Sequence, residues 1–313
     1  MAAEADSAPA RPSPMPVAVG LGYTAQERCF RGQIDDFRIW NKTLADFSHA
    51  GIDPAAAKET LARCLESTPR PAAGALTESW TLATDDTRLT LGVTVAGELV
   101  VRELSCPAVG WNWIANPVAY GLWPQVEVAG QSKQLRWRLA DAAVQETDGR
   151  KLTLRFACDD PALEATSEWQ ARQGPGPVHH SLVISNRSAQ AVTIGEQPTF
   201  DLDLTGAAAM WSFHGDGGTP DATGVYRRVL ADSPAGRRYT VRTAPSGEFI
   251  PYAVFEANER HGVYMGLEWS CCRIEAVTLA SDASPAVRVR AGNRGDLRAE
   301  LAPGDACEIR PGF

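Results

Sequence analysis

From about Leu76 to the C-terminus the chain repeats one pattern: a short run of alternating apolar and polar residues, then Gly, Pro, Asn or Asp. The runs are RLTLGVTV, GELVVREL, QLRWRLADAAV, KLTLRFA, HHSLVISN, AVTIGEQPTFDLDL, RYTVRTA, PYAVFEA, HGVYMGLEW, RIEAVTLA, AVRVRAG and AELAPG. Alternation sends successive side chains to opposite faces of a strand, so each run can cover a core with one face. No helical spacing of ordinary length interrupts them. That excludes an α/β barrel or a doubly wound sheet within the chain. Many short strands punctuated this way predict an all-β sandwich or barrel.

The 313 residues leave room for more than this β region. Residues 1–15 are Ala-, Pro- and Ser-rich and read as a disordered tail. Residues 16–44 hold VAVGLGY and RCFRGQIDDFRIWN, which alternate as strands. Two or three strands cannot bury a sheet face alone. Residues 45–74 read as a helical linker. Asp53 suits an N-cap and Pro54 the first helical position. Ala57, Leu61, Cys64 and Leu65 then recur at helical spacing. The run TPRPAAG closes this segment as a boundary, and residues 75–313 form the large β domain.

A net charge of -8 offers no basic field for nucleic acid or an anionic membrane. The N-terminus lacks a basic stretch followed by an apolar run, so no signal peptide is expected. No stretch approaches the roughly 20 apolar residues of a membrane span, and a soluble chain is expected. The seven cysteines are scattered without a CxxC pair or zinc-type spacing. They read as small buried hydrophobes. Glycine-rich phosphate loops, dinucleotide fingerprints, HExxH and GxSxG are also missing from the sequence, so neither a cofactor nor a metal is expected.

Two segments could hold a sugar. GWNWIANPVAYGLWP carries Trp111, Trp113, Tyr120 and Trp123 among Gly, Asn and Pro. Indole faces stack on the apolar faces of sugar rings, and Asn reaches hydroxyls. The same tryptophans could instead seal the sandwich. WSFHGDGGTPDATG carries Trp211, His214 and Asp216 in a Gly-rich stretch. A sugar isomerase would want a His and a Glu on one sugar, and His214 with Glu268 is the pair to nominate. His179 and His180 open a strand and read as solvated. Among acidic pairs, Asp201 and Asp203 share a strand face. Adjacent pairs such as Asp35/Asp36, Asp85/Asp86 and Asp159/Asp160 diverge on a strand. None of them reads as the convergent carboxyl pair of a glycosidase.

Family resemblances sharpen these expectations. GQIDDFRIWNKTL, Gly32 to Leu44, resembles the closing strands of laminin G-like, concanavalin-type jelly rolls. The larger region resembles the N-terminal β-supersandwich of family 36 glycoside hydrolases, the α-galactosidase family. The segments that carry this are Glu78 to Leu104, His179 to Ile194, Ile250 to Ser270 and the closing LAPGDACEIRPGF. The resemblance implies a large antiparallel supersandwich of the galactose-mutarotase-like kind. In that family the catalytic aspartates sit on a barrel C-terminal to it, and the chain stops at Phe313 where that barrel would begin. No catalytic residue is therefore carried over. The resemblance implies a non-catalytic accessory domain, inactive alone, whose partners are a galactoside or other saccharide and the glycosidase barrel domain of a parent enzyme. A free-standing lectin, a mutarotase-like isomerase, a ligand-free module and a homo-oligomer stay open as alternatives.

Overall fold

The computed structural model describes residues 66–214, 224–243, 249–269, 271–281, 284–293 and 297–313. The expected tail, the jelly-roll strands 16–44, the linker as far as residue 65 and Asp216 lie outside the described residues. The chain divides into a unit Met1–Thr68 and a unit Pro69–Phe313. All the strands among the described residues lie in the second unit.

These are β1 (Leu76–Ala83), β2 (Arg88–Thr94), β3 (Leu99–Ser105), β4 (Ala119–Tyr120), β5 (Gln125–Val128), β6 (Gln131–Gln134) and β7 (Arg138–Gln145) among the described residues. Next come β8 (Arg150–Asp159), β9 (Ala162–Ala171), β10 (Val178–Asn186), β11 (Val192–Ile194), β12 (Phe200–Thr205), β13 (Ala209–His214) and β14 (Gly224–Val229). The last are β15 (Arg238–Arg242), β16 (Phe249–Asn258), β17 (His261–Gly266), β18 (Cys272–Thr278), β19 (Ala286–Asn293), β20 (Ala299–Leu301) and β21 (Ala306–Gly312). They pair antiparallel in five sheets: β1-β2-β3-β4, β21-β10-β9-β8-β7, β20-β11-β5-β6, β12-β19-β18-β15 and β14-β13-β16-β17. The unit is the all-β, antiparallel sandwich that the alternating runs predict.

Burial shows how the layers stack. β9 and β10 alternate strictly between buried and half-buried residues, so one face of their sheet meets the core. β12 and β18 are buried at all but one position each and β19 at five of eight, so these three strands are covered on both faces. One continuous apolar cluster joins the sheets, from Leu82 and Leu91 through Leu154, Phe156 and Ile184 to Val289 and Ile309. Turn chemistry sets the register locally. Asp148 and Gly149 both take positive φ, 54° and 100°, between β7 and β8. The connection Glu146–Gly149 thus turns through the left-handed region, which Asp tolerates and Gly enters without cost.

His180 departs from its expected solvated position: it is 1% exposed. The alternation of β10 turns it to the core face, where a polar network satisfies it. Its Nδ1–H donates to the Thr199 carbonyl at 2.8 Å. Its Nε2 accepts from Ser167 Oγ at 3.0 Å, and Ser167 Oγ accepts from Trp169 Nε1 at 2.8 Å. The Trp169 and His180 rings stack at 3.8 Å. Burial pushes the His180 pKa down to about 3, so the ring stays neutral.

Candidate functional site

The tryptophan-rich segment splits between two tasks. Trp113, Tyr120 and Trp123 are buried, at 4%, 3% and 1% exposed. Trp123 Nε1 donates to Gly195 O at 3.3 Å, and the Tyr120 hydroxyl donates to Thr199 O. Trp111 is half-buried and packs in a different way. It stacks on His261 at 5.3 Å, nearly parallel, and meets Trp113 edge-on at 6.0 Å. Gly206 makes this seat possible. It holds φ +83°, and an added Cβ would lie 2.6 Å from the Trp111 ring.

Trp111 and Trp113 form part of the wall of a cleft of about 280 Å3. The cleft runs along β17, the edge strand of its sheet, and is closed opposite by β2, β3 and residues 104–113. Phe313 also reaches it, with its backbone paired to Gly266 at 2.8 and 3.0 Å. The buried side of the cleft is apolar: Leu89, Val101, Trp169, Phe200, Leu202 and Met265. Trp169 rests on the His180 network, which fixes that wall. The exposed side carries Asp86, Arg260, His261 and Tyr264.

Each exposed group is positioned by its neighbours. Asp86 Oδ1 accepts from Thr84 Oγ1 at 2.9 Å, Thr87 Oγ1 at 3.2 Å and Gly176 N at 3.0 Å. Partial burial pushes its pKa up, but the bonds from Gly176, Thr84 and Thr87 prevail and hold it below the ordinary carboxylate value. Asp86 is therefore charged at neutral pH. Asn258 Oδ1 accepts from the Arg260 and His261 backbone N–H groups at 2.9 and 3.1 Å, which shapes the turn that presents Arg260.

The described part of the second nominated segment, Trp211–His214, builds a different surface and is not among the residues lining the cleft. Trp211 Nε1 donates to Glu256 Oε2, and Arg227 Nη2 donates to Glu256 Oε1 at 2.9 Å. The Arg227 guanidinium also lies 5.6 Å from the Trp211 ring centre. His214 packs against Phe249 at 4.8 Å. Glu268, nominated with His214, is bonded to His179 Nδ1 at 2.9 Å.

Two of the acidic pairs, Asp201/Asp203 and Asp159/Asp160, are tied up in ion pairs. Asp203, 9% exposed, takes Arg288 on both oxygens at 2.9 and 3.1 Å and Arg70 Nη2 at 2.8 Å. Asp201 takes Arg70 Nη1 at 3.1 Å. Burial pushes Asp203 up, but Arg288 and Arg70 outweigh it and hold its carboxyl below the usual range. Asp159 pairs with Arg138 and Asp160 with Lys133, at 2.9 and 2.6 Å. Cys158 and Cys272 are buried, whereas Cys106, Cys271 and Cys307 are half-buried; all are free thiols. No described helix is long and apolar enough to cross a membrane.

The chain matches no protein-family profile and no curated protein sequence. Among solved structures it is similar to the GH36 α-galactosidase AgaA of Geobacillus stearothermophilus, at 13% identity and TM-score 0.59, over 75% of this chain and 40% of that one. The α-galactosidase of Lactobacillus brevis matches at 14% identity and TM-score 0.56, over 75% and 38%. The galactosidase domain of the α-galactosidase–sucrose kinase AgaSK matches at 14% and 0.59, over 75% and 40%. At these identities the likeness shows a shared fold, the β-sandwich found within GH36 α-galactosidases. The chain spans about 40% of the length of the enzymes it matches.

Proposed function

We propose that this chain is a non-catalytic, carbohydrate-associated β-domain that works beside a glycosidase catalytic domain of the α-galactosidase type. The observation that carries this reading is the fold shared across three quarters of this chain with only two fifths of the α-galactosidases. AgaA variants have been crystallised with raffinose and with stachyose, which supports an α-galactoside as the saccharide concerned.

Two features of the surface support it further. A retaining glycosidase needs two carboxyls roughly 5 Å apart, free to reach one glycosidic bond. Asp201, Asp203, Asp159 and Asp160 are instead committed to arginines and a lysine. Second, exposed large apolar side chains concentrate on the β14-β13-β16-β17 sheet and just beyond it: Val225, Tyr226, Val229, Ile250, Tyr264 and Trp269. Such a concentration suits docking to another domain.

The test is an assay of the purified chain against nitrophenyl α-galactoside, with calorimetric titration of α-galactosides alongside. No turnover with measurable, weak binding is expected. Turnover that persists through purification and is lost in Asp86→Asn or Glu268→Gln would overturn the reading. Sub-micromolar binding without any other domain would favour the lectin alternative, for which the cleft is the specific support.

A further inference from the structure

We propose that the cleft along β17 binds a neutral glycoside by its aglycone: an apolar ring occupies the buried side and the sugar is held at the exposed side. This rests on the carbohydrate reading above and adds to it the site and the ligand class.

Size limits the ligand. A cavity of about 150 Å3 already accommodates a benzene ring. At about 280 Å3 the cleft holds one ring and a few further atoms, but not an oligosaccharide. Chemistry then divides those atoms. A hexose pushed against Leu89, Val101, Phe200, Leu202 and Met265 would leave its hydroxyls without partners. An apolar ring meets no such cost there, and Trp113 and Trp169 offer it aromatic contact.

The exposed side has the opposite character. Asp86 is held charged by hydrogen bonds that engage one of its oxygens, so the other is available to accept from a hydroxyl. Arg260, exposed on the turn before β17, offers a guanidinium to donate to one. Tyr264 supplies a ring 37% exposed for the apolar face of a sugar. A carboxylate and a guanidinium that both line the cleft disfavour a ligand of either net charge, which leaves a neutral polyol joined to an apolar body. The cleft residues come from the turn before β2, from β2, β3 and the segment after it, from β9, β10, β12 and β17, and from Phe313. The fold assembles the cleft without using the Trp211–His214 segment.

Trp111, Trp113 and Trp169 line the cleft, so occupancy is readable as a change in intrinsic fluorescence. The experiment titrates the full chain with phenyl α-galactoside, methyl α-galactoside and phenol, by fluorescence and calorimetry. The phenyl glycoside is expected to bind at least tenfold more tightly than either fragment. Arg260→Ala and Asp86→Asn should each weaken the phenyl glycoside several-fold and leave phenol unchanged. If methyl galactoside binds as well as the phenyl compound and ignores Arg260→Ala, the cleft assignment is wrong while the carbohydrate reading survives. If phenol equals the glycoside, the sugar half of the proposal is wrong. If nothing binds, both readings fall.

Discussion

Two regions of this sandwich set charged side chains against apolar walls, and they treat the charges in opposite ways. On the paired strands β12 and β19, Asp203 and Arg288 are 9% and 6% exposed and saturate one another in a two-point pair that Arg70 completes. At the cleft, Asp86 and Arg260 are exposed, and Asp86 is steadied by hydroxyls and a backbone N–H instead of a cation. A buried charge with a full set of partners can hold structure but cannot serve a ligand. An exposed charge with a fixed position and spare hydrogen-bonding capacity can. The difference separates a structural ion cluster from a candidate binding rim, although the residue types are the same.

The interior half of this comparison can be broken by acid. His180 is buried neutral, with a pKa near 3 in the folded chain against 6.5 for an ordinary histidine. The unfolded chain therefore binds the extra proton first. Stability is complete above pH 6.5 and declines as pH falls from 6.5 toward 3, by up to about 5 kcal/mol if the whole shift is expressed. Asp203, held below its usual value, adds its loss only at lower pH, below 3.8. Urea midpoints measured between about pH 7 and about pH 5.5 thus report mainly on His180, and a flat series there would contradict its burial. Removing a partner from the ion cluster comes next. Arg288→Ala leaves Asp203 buried beside Arg70 alone and is expected to cost about 3–5 kcal/mol in urea denaturation. A cost under about 1 kcal/mol would mean that the cluster is as solvated as the rim.

The sequence discloses much of the sandwich and little of either charged region, for a physical reason. Arg88–Thr94, Arg150–Asp159 and Val178–Asn186 alternate β-branched or large apolar residues with polar ones, and the strands lie where that pattern puts them. β9 alternates just as strictly in the structure, yet it does not stand out as a strand in the sequence. Its core-facing residues are Leu163, Ala165, Ser167, Trp169 and Ala171, too small on average to raise an apolar signal. Alternation also shows that Asp201 and Asp203 share a face. It cannot show that Arg70 and Arg288, 133 and 85 residues from Asp203, wait on that face. The cleft is hidden in the same way. Trp111 could be nominated from its neighbours, but His261, Arg260 and Phe313 join it only through pairings between distant strands.

Gly206 offers a test of how firmly the cleft wall is seated. Gly206→Ala puts a side chain at φ +83° and against the Trp111 ring, 2.6 Å away. Backbone strain and displacement of the indole together should cost about 1–3 kcal/mol. The loss of thermal stability should be accompanied by a shift in tryptophan emission. Stability lost with unchanged emission would place the relaxation in the turn and not in the cleft.

The smallest expected effect is the sharpest comparison, because it repeats one substitution in the other region. Arg260→Ala removes the same side chain as Arg288→Ala. Arg260 stands in solvent, however, and Asn258 holds its turn through backbone N–H groups that the substitution leaves intact. Surface changes of this kind fall within about 0.5 kcal/mol. The variant should therefore unfold at the parental urea midpoint, whereas Arg288→Ala unfolds far earlier. A large loss at Arg260 would mean that its guanidinium is part of the packed structure. The cleft rim would then be committed to the fold, like the cluster on β12 and β19, with no capacity left for a sugar hydroxyl.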